Sequence, residues 1–233
     1  ITAICTPQDV PAHLTTLAMY RHTLAHTSKV VLGPGINHAQ EIAYIMRMAE
    51  VIGAASEILT LTVSPLSPLT FHNHVAETII AAARQNIVLS PLPAPIAGAT
   101  APMSLAGALA LQNAENLATI VLSQLVSPGA PMIYCGRLSI MDPRTAASIW
   151  GGVELGMVSA ATVQIAHFYN LPVNIYGFST NSYDYDIQNG YERMQNAMLP
   201  ALAGADELSG IGQIGAGVMS SLAQIVLDNE IAA

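Results

Sequence analysis

The stretch PLPAPIAGATAPMSLAGALALQNAE, residues 91–115, decides the fold prediction. A short apolar run ends in a loop rich in proline, glycine and threonine, and that loop leads directly into a long run of small residues. Proline and glycine interrupt regular structure, whereas alanine and leucine favour helices. The stretch therefore predicts one strand–loop–helix step of a barrel or sheet, with a loop suited to approach another group closely.

The same step recurs along the chain, because seven short apolar runs are each followed by a helical pattern. The predicted strands are Ile1–Thr6, Lys29–Gly33, Ile58–Ser64, Ile87–Pro91, Pro131–Gly136, Val173–Phe178 and Glu207–Ile211. The predicted helices are Ala12–His26, His38–Ile52, Asn73–Gln85, Ser104–Leu125, Trp150–Tyr169, Asp186–Ala203 and Gly217–Asp228. Strands that alternate with helices predict parallel βα units.

About seven βα units favour a TIM (β/α)8-type barrel that lacks one unit. We predict one α/β barrel domain over residues 1–233, and we expect a fragment of a longer chain because the sequence begins with Ile1. An open doubly wound sheet is the alternative, and its strands should be apolar on both faces. Strand Ile58–Ser64 instead alternates threonines with leucines. One polar and one aliphatic face favour the barrel.

The composition is unusually poor in charge. Hydrophobic residues make up 52% of the chain and charged residues only 9%, whereas roughly 25% charged residues is ordinary in soluble domains. We therefore expect much of the surface to be covered, by further chain or by other copies in a homo-oligomer. A membrane protein is the rival explanation, but no apolar run reaches the roughly 18 residues of a spanning helix.

The net charge of −8, with seven lysines and arginines, argues against a nucleic-acid partner and against an anionic membrane surface. Cys5 and Cys135 are isolated and form no Cys-x-x-Cys motif. No disulfide framework is therefore predicted, and a reducing cytoplasm is expected.

Several segments together carry a family resemblance. They are SPLSPLTF (64–71), PLPAPIAGATAPMSLAGALALQNAENLA (91–118), QLVSPGAPMIY (124–134), MDPRT (141–145), HFYNLP (167–172) and IVLDNEIA (225–232). This set resembles the trimethylamine methyltransferase family, the corrinoid-dependent methylamine methyltransferases, from about Gln8 to the C-terminus. The resemblance implies a TIM barrel, and family members are longer than this chain.

The resemblance also implies an activity, the transfer of a methyl group from a methylated amine to the Co(I) corrinoid of a partner protein. Such an enzyme holds no cofactor tightly, and it docks its cognate corrinoid protein over the barrel mouth. A methyltransferase with another methyl donor is a second possibility. A non-catalytic or degenerate barrel homologue that binds a methylated amine or a partner protein is the alternative from another class.

The loop Ser179–Asp184 bears on the substrate. It contains STNSYD and no pyrrolysine, which the founding branch of the family uses to activate a tertiary amine. The chain thus resembles the non-pyrrolysine branch, some of whose members act on quaternary amines such as glycine betaine. A quaternary amine is favoured, and trimethylamine stays possible, because Gln213 and Thr180–Tyr183 depart from the family's usual acidic residue and Thr-Asp-x-Lys.

A quaternary ammonium calls for aromatic faces, through cation–π attraction of about 0.5–2 kcal/mol per ring. Tyr134, Tyr176, Phe178 and Tyr183 are the candidate aromatic cage, with core packing as the alternative. The other candidate substrate-binding residues are His38, Thr100, Asn181 and Asp142. His38 otherwise marks a helix start, and Asp142 otherwise braces its loop with Arg144. No catalytic acid, base or nucleophile is identified.

Two motifs are expected to be structural. His72 and His74 form an HxH pair, but we expect exposed residues near a helix start and no bound metal, because no third ligand is evident. The loop Gly210–Gly217, GIGQIGAG, resembles an anion-binding loop at a helix N-terminus. It has no lysine for a nucleotide, and a substrate carboxylate is the one anion we consider there.

Overall fold

The computed structural model describes residues 6–233. The helices in this range are the 3-10 helix Ala12–Leu14 and α1 Thr15–His26, α2 Glu41–Glu50, α3 Ala55–Ile58, α4 Asn73–Arg84, α5 Leu105–Val126, α6 Val153–Phe168, α7 Ile187–Leu202 and α8 Leu222–Ala232. The strands are β1 Val31–Gly35, β2 Leu59–Val63, β3 Val88–Pro91, β4 Ile96–Ala97, β5 Tyr134–Gly136, β6 Ser139–Met141, β7 Ser148–Ile149, β8 Val173–Tyr176, β9 Glu207–Ser209, β10 Gln213–Ile214 and β11 Met219–Ser220.

The chain is a mixed α/β protein with parallel strands, as the sequence predicts. Every predicted strand from Lys29–Gly33 onward is found with shifted ends, and so is every predicted helix. The first predicted strand, Ile1–Thr6, lies outside the described residues except for Thr6. Among residues 6–233 the strands pair into four separate sheets, and no closed ring of strands is found.

Residue contacts divide the chain into two compact units. Unit 1 contains the described residues up to Leu66, together with Thr70–Leu92 and Asn116–Ile133. Unit 2 contains Ser67–Leu69, Pro93–Glu115 and Tyr134–Ala233. The helix α5 contributes residues to both units.

Unit 1 is built on the parallel sheet β1–β2–β3, in which Val31 pairs with Leu59 and Leu61 pairs with Leu89. Leu89 also forms an isolated parallel bridge with Met132. Apolar residues of α1, α2 and α4 pack on these strands in one buried cluster. Burial of each large aliphatic side chain contributes about 1.5–3 kcal/mol, which makes this cluster the main stabilising element of the unit.

A close approach inside unit 1 requires a glycine in β1. A Cβ atom at Gly33 would lie 2.0 Å from the hydroxyl oxygen of Tyr20. The Tyr20 ring is fully buried, and its hydroxyl donates to the Pro34 carbonyl at 3.2 Å. At Gly35, in the same strand, a Cβ atom would have no neighbour within 4 Å.

Unit 2 is built on the parallel sheet β5–β8–β9, whose strand order follows the chain as it does in β1–β2–β3. A second sheet, β4–β6–β7, combines a parallel and an antiparallel pair. One face of β5–β8–β9 packs against α6, because a Cβ atom at Gly136 would lie 2.7 Å from Thr162 of that helix. The opposite face carries the polar side chains described below.

Unit 2 also holds a short segment from the first half of the chain. The buried carboxylate of Glu115 accepts hydrogen bonds from the Ser67 hydroxyl at 2.8 Å and from the Leu69 backbone at 2.9 Å. Three residues, Ser67–Leu69, are thereby attached to the N-terminal half of α5.

The predicted start of the last helix is wrong. The helix begins at Leu222 rather than Gly217, and the Ser221 hydroxyl caps it by accepting from the Gln224 backbone. Gly215 and Gly217 have φ angles of +58° and +82°, a left-handed backbone that cannot continue a helix. The hairpin β10–β11 forms there instead, so the glycine-rich loop does not meet a helix N-terminus.

Among the helices of the described residues, only α5, at 22 residues, is long and apolar enough to cross a membrane by length and composition. Core helices of globular proteins pass the same criterion.

Candidate functional site

The candidate site is the face of the sheet β5–β8–β9 opposite the one that contacts Thr162 of α6, and we call it the polar face. Its first row is Cys135, Asn174 and Glu207, and its second row, toward the carboxyl ends of the strands, is Tyr176 and Ser209. Arg137 follows β5 and, two residues after Cys135, returns to the same face. Ligands of parallel α/β sheets bind at the carboxyl ends of strands, so a ligand is expected at this edge of the sheet.

Arg137 is held across the polar face by three hydrogen bonds. Its guanidinium donates to the Gly136 carbonyl at 2.9 Å, to the Ser209 hydroxyl at 2.8 Å and to the Asn174 side-chain oxygen. The guanidinium carbon also lies 5.5 Å from the centroid of the Tyr176 ring, within cation–π distance. A half-buried positive charge is therefore fixed beside an aromatic ring.

Tyr176 and Trp150 form an aromatic corner, with ring centroids 5.1 Å apart and ring planes 78° apart. The Tyr176 hydroxyl donates to the side-chain oxygen of Gln213. Burial raises the pKa of Tyr176 to about 12, against an opposing effect of Arg137 and Arg193. The phenol therefore stays protonated at neutral pH and keeps its hydrogen bond.

The loop after β8 fixes the backbone of Trp150. The side-chain oxygen of Asn181 accepts from the backbone nitrogens of Trp150 at 2.7 Å and Gly151 at 2.6 Å. Ser179 donates its hydroxyl to the Trp150 carbonyl at 2.7 Å. The Asn181 backbone is itself held by Glu192 of α7 at 2.8 Å. This network of hydrogen bonds positions the Trp150 ring of the aromatic corner.

The loop that carries Gln213 is fixed by a buried ion pair. Arg193 of α7 and Asp228 of α8 meet at 2.9 Å, with both side chains fully buried. Arg193 donates to the carbonyls of Phe178, at 3.2 Å, and Gln213. Asp228 accepts from the Gly212 backbone at 2.6 Å. The pair thus connects two helices to the loops after β8 and β9, and it sets where Gln213 meets Tyr176.

Tyr134 and Tyr176, both predicted cage residues, lie on opposite faces of the sheet. Tyr134 pairs with Val173, the neighbour of Asn174, so its side chain leaves the polar face. Its hydroxyl donates to the Asn113 side chain of α5 at 3.0 Å. The structure therefore does not bring these two tyrosines together.

Phe178 and Tyr183, the other predicted cage residues, differ in exposure. Phe178 follows β8 and is buried, and its backbone nitrogen donates to the Ser209 carbonyl at 3.0 Å. Tyr183 is 64% exposed, and its ring lies over Gly215, where a Cβ atom would be 2.5 Å from it. Neither forms a ring–ring contact with Tyr176 among the described residues.

Thr100 and His38 each form a hydrogen bond with a residue close to them in the chain. The Thr100 hydroxyl accepts from the Ile96 backbone at 2.9 Å and closes the loop after β4. His38 is exposed, and its backbone nitrogen donates to the Glu41 carboxylate at 3.3 Å near the start of α2. The structure places Thr100 in unit 2 and His38 in unit 1.

Asp142 and Arg144 form the loop-bracing ion pair that the sequence suggests, at 3.3 Å. Hydrogen bonds from the Arg144 side chain and backbone hold the pKa of Asp142 below its usual value. In the same turn the Ala146 backbone nitrogen donates to the Asp142 carbonyl at 2.8 Å. The described partners of Asp142 thus lie within its own turn.

His72 and His74 stack on each other near the start of α4, with ring centroids 5.6 Å apart. Within residues 6–233, no group of three or more histidine, cysteine, aspartate or glutamate side chains is placed to hold a metal ion.

Sequence reasoning missed Trp150 and Arg137 as site residues. Trp150 is the only tryptophan of the chain, and it precedes a Gly-Gly pair, which is a local signal for a loop residue. Arg137 follows a predicted strand end, where its alternation with Cys135 could have placed it on the polar face. The contact between the two rings depends on the loop after β8, and no local pattern reveals that.

These features define a class of protein, a mixed α/β protein with parallel strands whose strand ends carry an aromatic corner and a fixed arginine. The trimethylamine methyltransferase family model matches residues 2–233. The chain belongs to the trimethylamine methyltransferase family.

Relatives with curated names agree with this assignment. The chain is 34% identical to a trimethylamine methyltransferase of Desulfitobacterium hafniense over 97% of this chain and 47% of the relative. It is 34% identical to a trimethylamine methyltransferase of Methanosarcina barkeri over 96% of this chain and 45% of the relative. A glycine betaine methyltransferase of Desulfitobacterium hafniense is 32% identical over 97% of this chain and 48% of the relative. The chain spans about half the length of these relatives.

Proposed function

We propose that the chain is part of a methyltransferase that moves a methyl group from a methylated amine to the Co(I) corrinoid of a partner protein. We favour a quaternary amine, with trimethylamine as the second candidate. The observation that carries the proposal is the aromatic corner of Trp150 and Tyr176 at the carboxyl ends of the strands. Aromatic faces attract quaternary ammonium groups by cation–π interaction.

The chemistry favours a quaternary substrate for these side chains. When the methyl group leaves, the carbon–nitrogen bond breaks and its electron pair stays on nitrogen. A quaternary ammonium thereby leaves as a neutral amine, and no proton has to be supplied. A neutral tertiary amine would leave as an amide anion and needs an acid or electrophile. Tyr176, whose pKa is raised to about 12, is a poor acid for that purpose.

We propose that the fold of the whole protein is a TIM barrel and that this chain is a single domain of it. The two parallel sheets, β1–β2–β3 and β5–β8–β9, both follow chain order without the reversal of a doubly wound sheet. Leu89 of β3 bridges in parallel to Met132, two residues before β5 begins. Consecutive parallel pairing is the arrangement of a barrel.

We further propose that the protein takes its corrinoid from a cognate corrinoid protein, acts in the cytoplasm and assembles with further copies of itself. The two cysteines of the chain are far apart in the sequence and form no Cys-x-x-Cys motif, which fits a reducing compartment. Exposed apolar side chains on one stripe of α7, including Ile187, Tyr191 and Leu202, fit a surface that is covered in the assembly.

The test uses the full-length protein mixed with the Co(I) form of its corrinoid protein and a panel of amines. The panel contains glycine betaine, tetramethylammonium, choline, trimethylamine and dimethylamine. We expect the visible spectrum of the corrinoid to change to that of the methylated form with at least one quaternary amine. No change with any amine overturns the proposed activity, and a change with trimethylamine alone overturns the preference for a quaternary substrate.

A further inference from the structure

We propose that Arg137 and Asn174 form a carboxylate-binding subsite beside the aromatic corner. The substrate is then a small zwitterion that carries a methylated ammonium and a carboxylate in one molecule. This inference rests on the proposed function, and it names the part of the substrate that the aromatic corner does not recognise.

The charge of Arg137 favours an anionic ligand. Its three hydrogen-bond acceptors are the oxygens of Gly136, Asn174 and Ser209, which are all neutral. In the described part of the chain it forms no ion pair with a carboxylate. Arginine presents a planar fork of donors that matches a carboxylate, and a half-buried guanidinium is stabilised by such a partner.

The side chain of Asn174 favours the same ligand independently of Arg137. This side chain is fully buried, and within residues 6–233 its amide nitrogen has no hydrogen-bond partner, whereas its oxygen accepts from Arg137. Buried polar groups without a partner are rare in folded proteins. In the part of the chain that the structure describes, an unpaired donor therefore lies next to an arginine without a carboxylate partner, and an oxygen anion is the ligand that satisfies both.

The carboxylate subsite and the aromatic corner lie side by side. Arg137 lies 5.5 Å from the Tyr176 ring, and Tyr176 lies 5.1 Å from Trp150. A carboxylate on Arg137 and an ammonium at the aromatic corner are thus close enough to belong to one small molecule. Glu207, the acidic residue that pairs with Asn174, lies one row deeper and forms no ion pair with Arg137 in the described residues.

The experiment measures equilibrium binding to the full-length protein without its corrinoid partner. The probes are glycine betaine and tetramethylammonium, which share a quaternary nitrogen and differ in the carboxylate. We expect the wild type to bind glycine betaine at least about tenfold more tightly, because tetramethylammonium leaves the donors of the subsite unpaired. Equal affinities for the two probes overturn the subsite. If the protein binds neither probe, the proposed function itself is overturned.

Two variants test whether Arg137 and Asn174 cause the preference for glycine betaine over tetramethylammonium. Arg137→Gln should weaken glycine betaine binding about tenfold or more and leave tetramethylammonium binding within about twofold, since one charge-assisted pair is lost. Asn174→Asp, which is nearly isosteric, should do the same by placing a carboxylate beside Arg137. A parallel loss of both probes would mean that Arg137 only supports the Tyr176 ring, and it overturns the proposal.

The matched control is Arg144→Gln, which removes an exposed arginine already paired with Asp142. It should leave the affinity for both probes unchanged. If Arg137→Gln does not fold, as judged by its thermal transition, the wild-type comparison of the two probes and Asn174→Asp still decide the question. An Arg144→Gln effect equal to that of Arg137→Gln overturns the assignment to this subsite.

Discussion

Arg193 and Asp228 form an ion pair 2.9 Å long in which both side chains are fully buried. Each also has hydrogen bonds beyond the pair: Arg193 to Asn189 at 2.6 Å, and Asp228 to Gln224 at 2.8 Å. A buried charge that loses its partner is strongly destabilising, whereas an intact pair with satisfied hydrogen bonds is tolerated. The pair therefore acts as a structural joint between α7, α8 and the loops at the candidate site.

Replacement of Asp228 by alanine should lower the free energy of unfolding by about 3–5 kcal/mol, because the Arg193 charge stays buried and unpaired. Denaturant unfolding of the full-length protein measures this change. Glu230→Ala, an exposed carboxylate on the same helix, is the matched control and should cost less than about 0.5 kcal/mol. Equal effects of the two variants would contradict a special role for the pair.

Replacement of Tyr176 by alanine should weaken the binding of glycine betaine by about 0.5–2 kcal/mol, the value of one cation–π contact. Tyr176→Phe keeps the ring and should lose much less. Equilibrium dialysis with labelled glycine betaine gives both affinities. Tyr134→Phe is the control, because it removes a hydroxyl on the helix-covered face. A larger loss in Tyr134→Phe than in Tyr176→Ala would move the site to the other face.

The pH dependence of binding follows from the Tyr176 pKa of about 12. An unperturbed phenol titrates near pH 10. The contribution of the protonated Tyr176 hydroxyl to the stability of the fold is therefore complete below pH 10 and is lost as the pH rises through about 12. The difference in glycine betaine affinity between the wild type and Tyr176→Phe should thus be constant from pH 7 to about 10. A titration of that difference near neutral pH would show that Tyr176 is not shielded as described.

Gly33 and Gly35 offer a matched pair of substitutions in one strand. Gly33→Ala should destabilise the fold by about 1–3 kcal/mol, because its new methyl group would overlap the buried Tyr20 ring. Gly35→Ala, whose Cβ has open space, should change stability by less than about 0.5 kcal/mol. Thermal unfolding of the two variants makes the comparison. Similar melting temperatures would show that Tyr20 can move aside.

The order of strands and helices was predictable because it depends on local periodicity. Residues two apart in a strand share a face, and in β8 this places Asn174 and Tyr176 together. Tyr134 was harder, since its face depends on its register against Val173, which is a property of two distant segments. A cage prediction from residue type and strand position alone could not separate these two tyrosines.

Other features depended on contacts that no short segment contains. Trp150 meets Tyr176 because Asn181 and Ser179 hold its backbone from a loop about thirty positions later in the chain. The hairpin β10–β11 was not predicted, because its glycine-rich sequence also suits the start of a helix. Its left-handed φ angles at Gly215 and Gly217 decided the outcome. Sequence patterns thus located the strands well and the site side chains only in part.

The hydrogen bonds from Ser67 and Leu69 to Glu115 have a practical consequence for the production of unit 2 alone. A truncated protein starting at Pro93 would begin after the segment that this buried carboxylate holds, and it would also carry the part of α5 that unit 1 shares. A buried carboxylate that loses its hydrogen-bond donors destabilises the folded state. Domain dissection by recombinant truncation should therefore yield insoluble material, and a protease nick within Ser67–Leu69 should loosen a helix nearly fifty positions downstream.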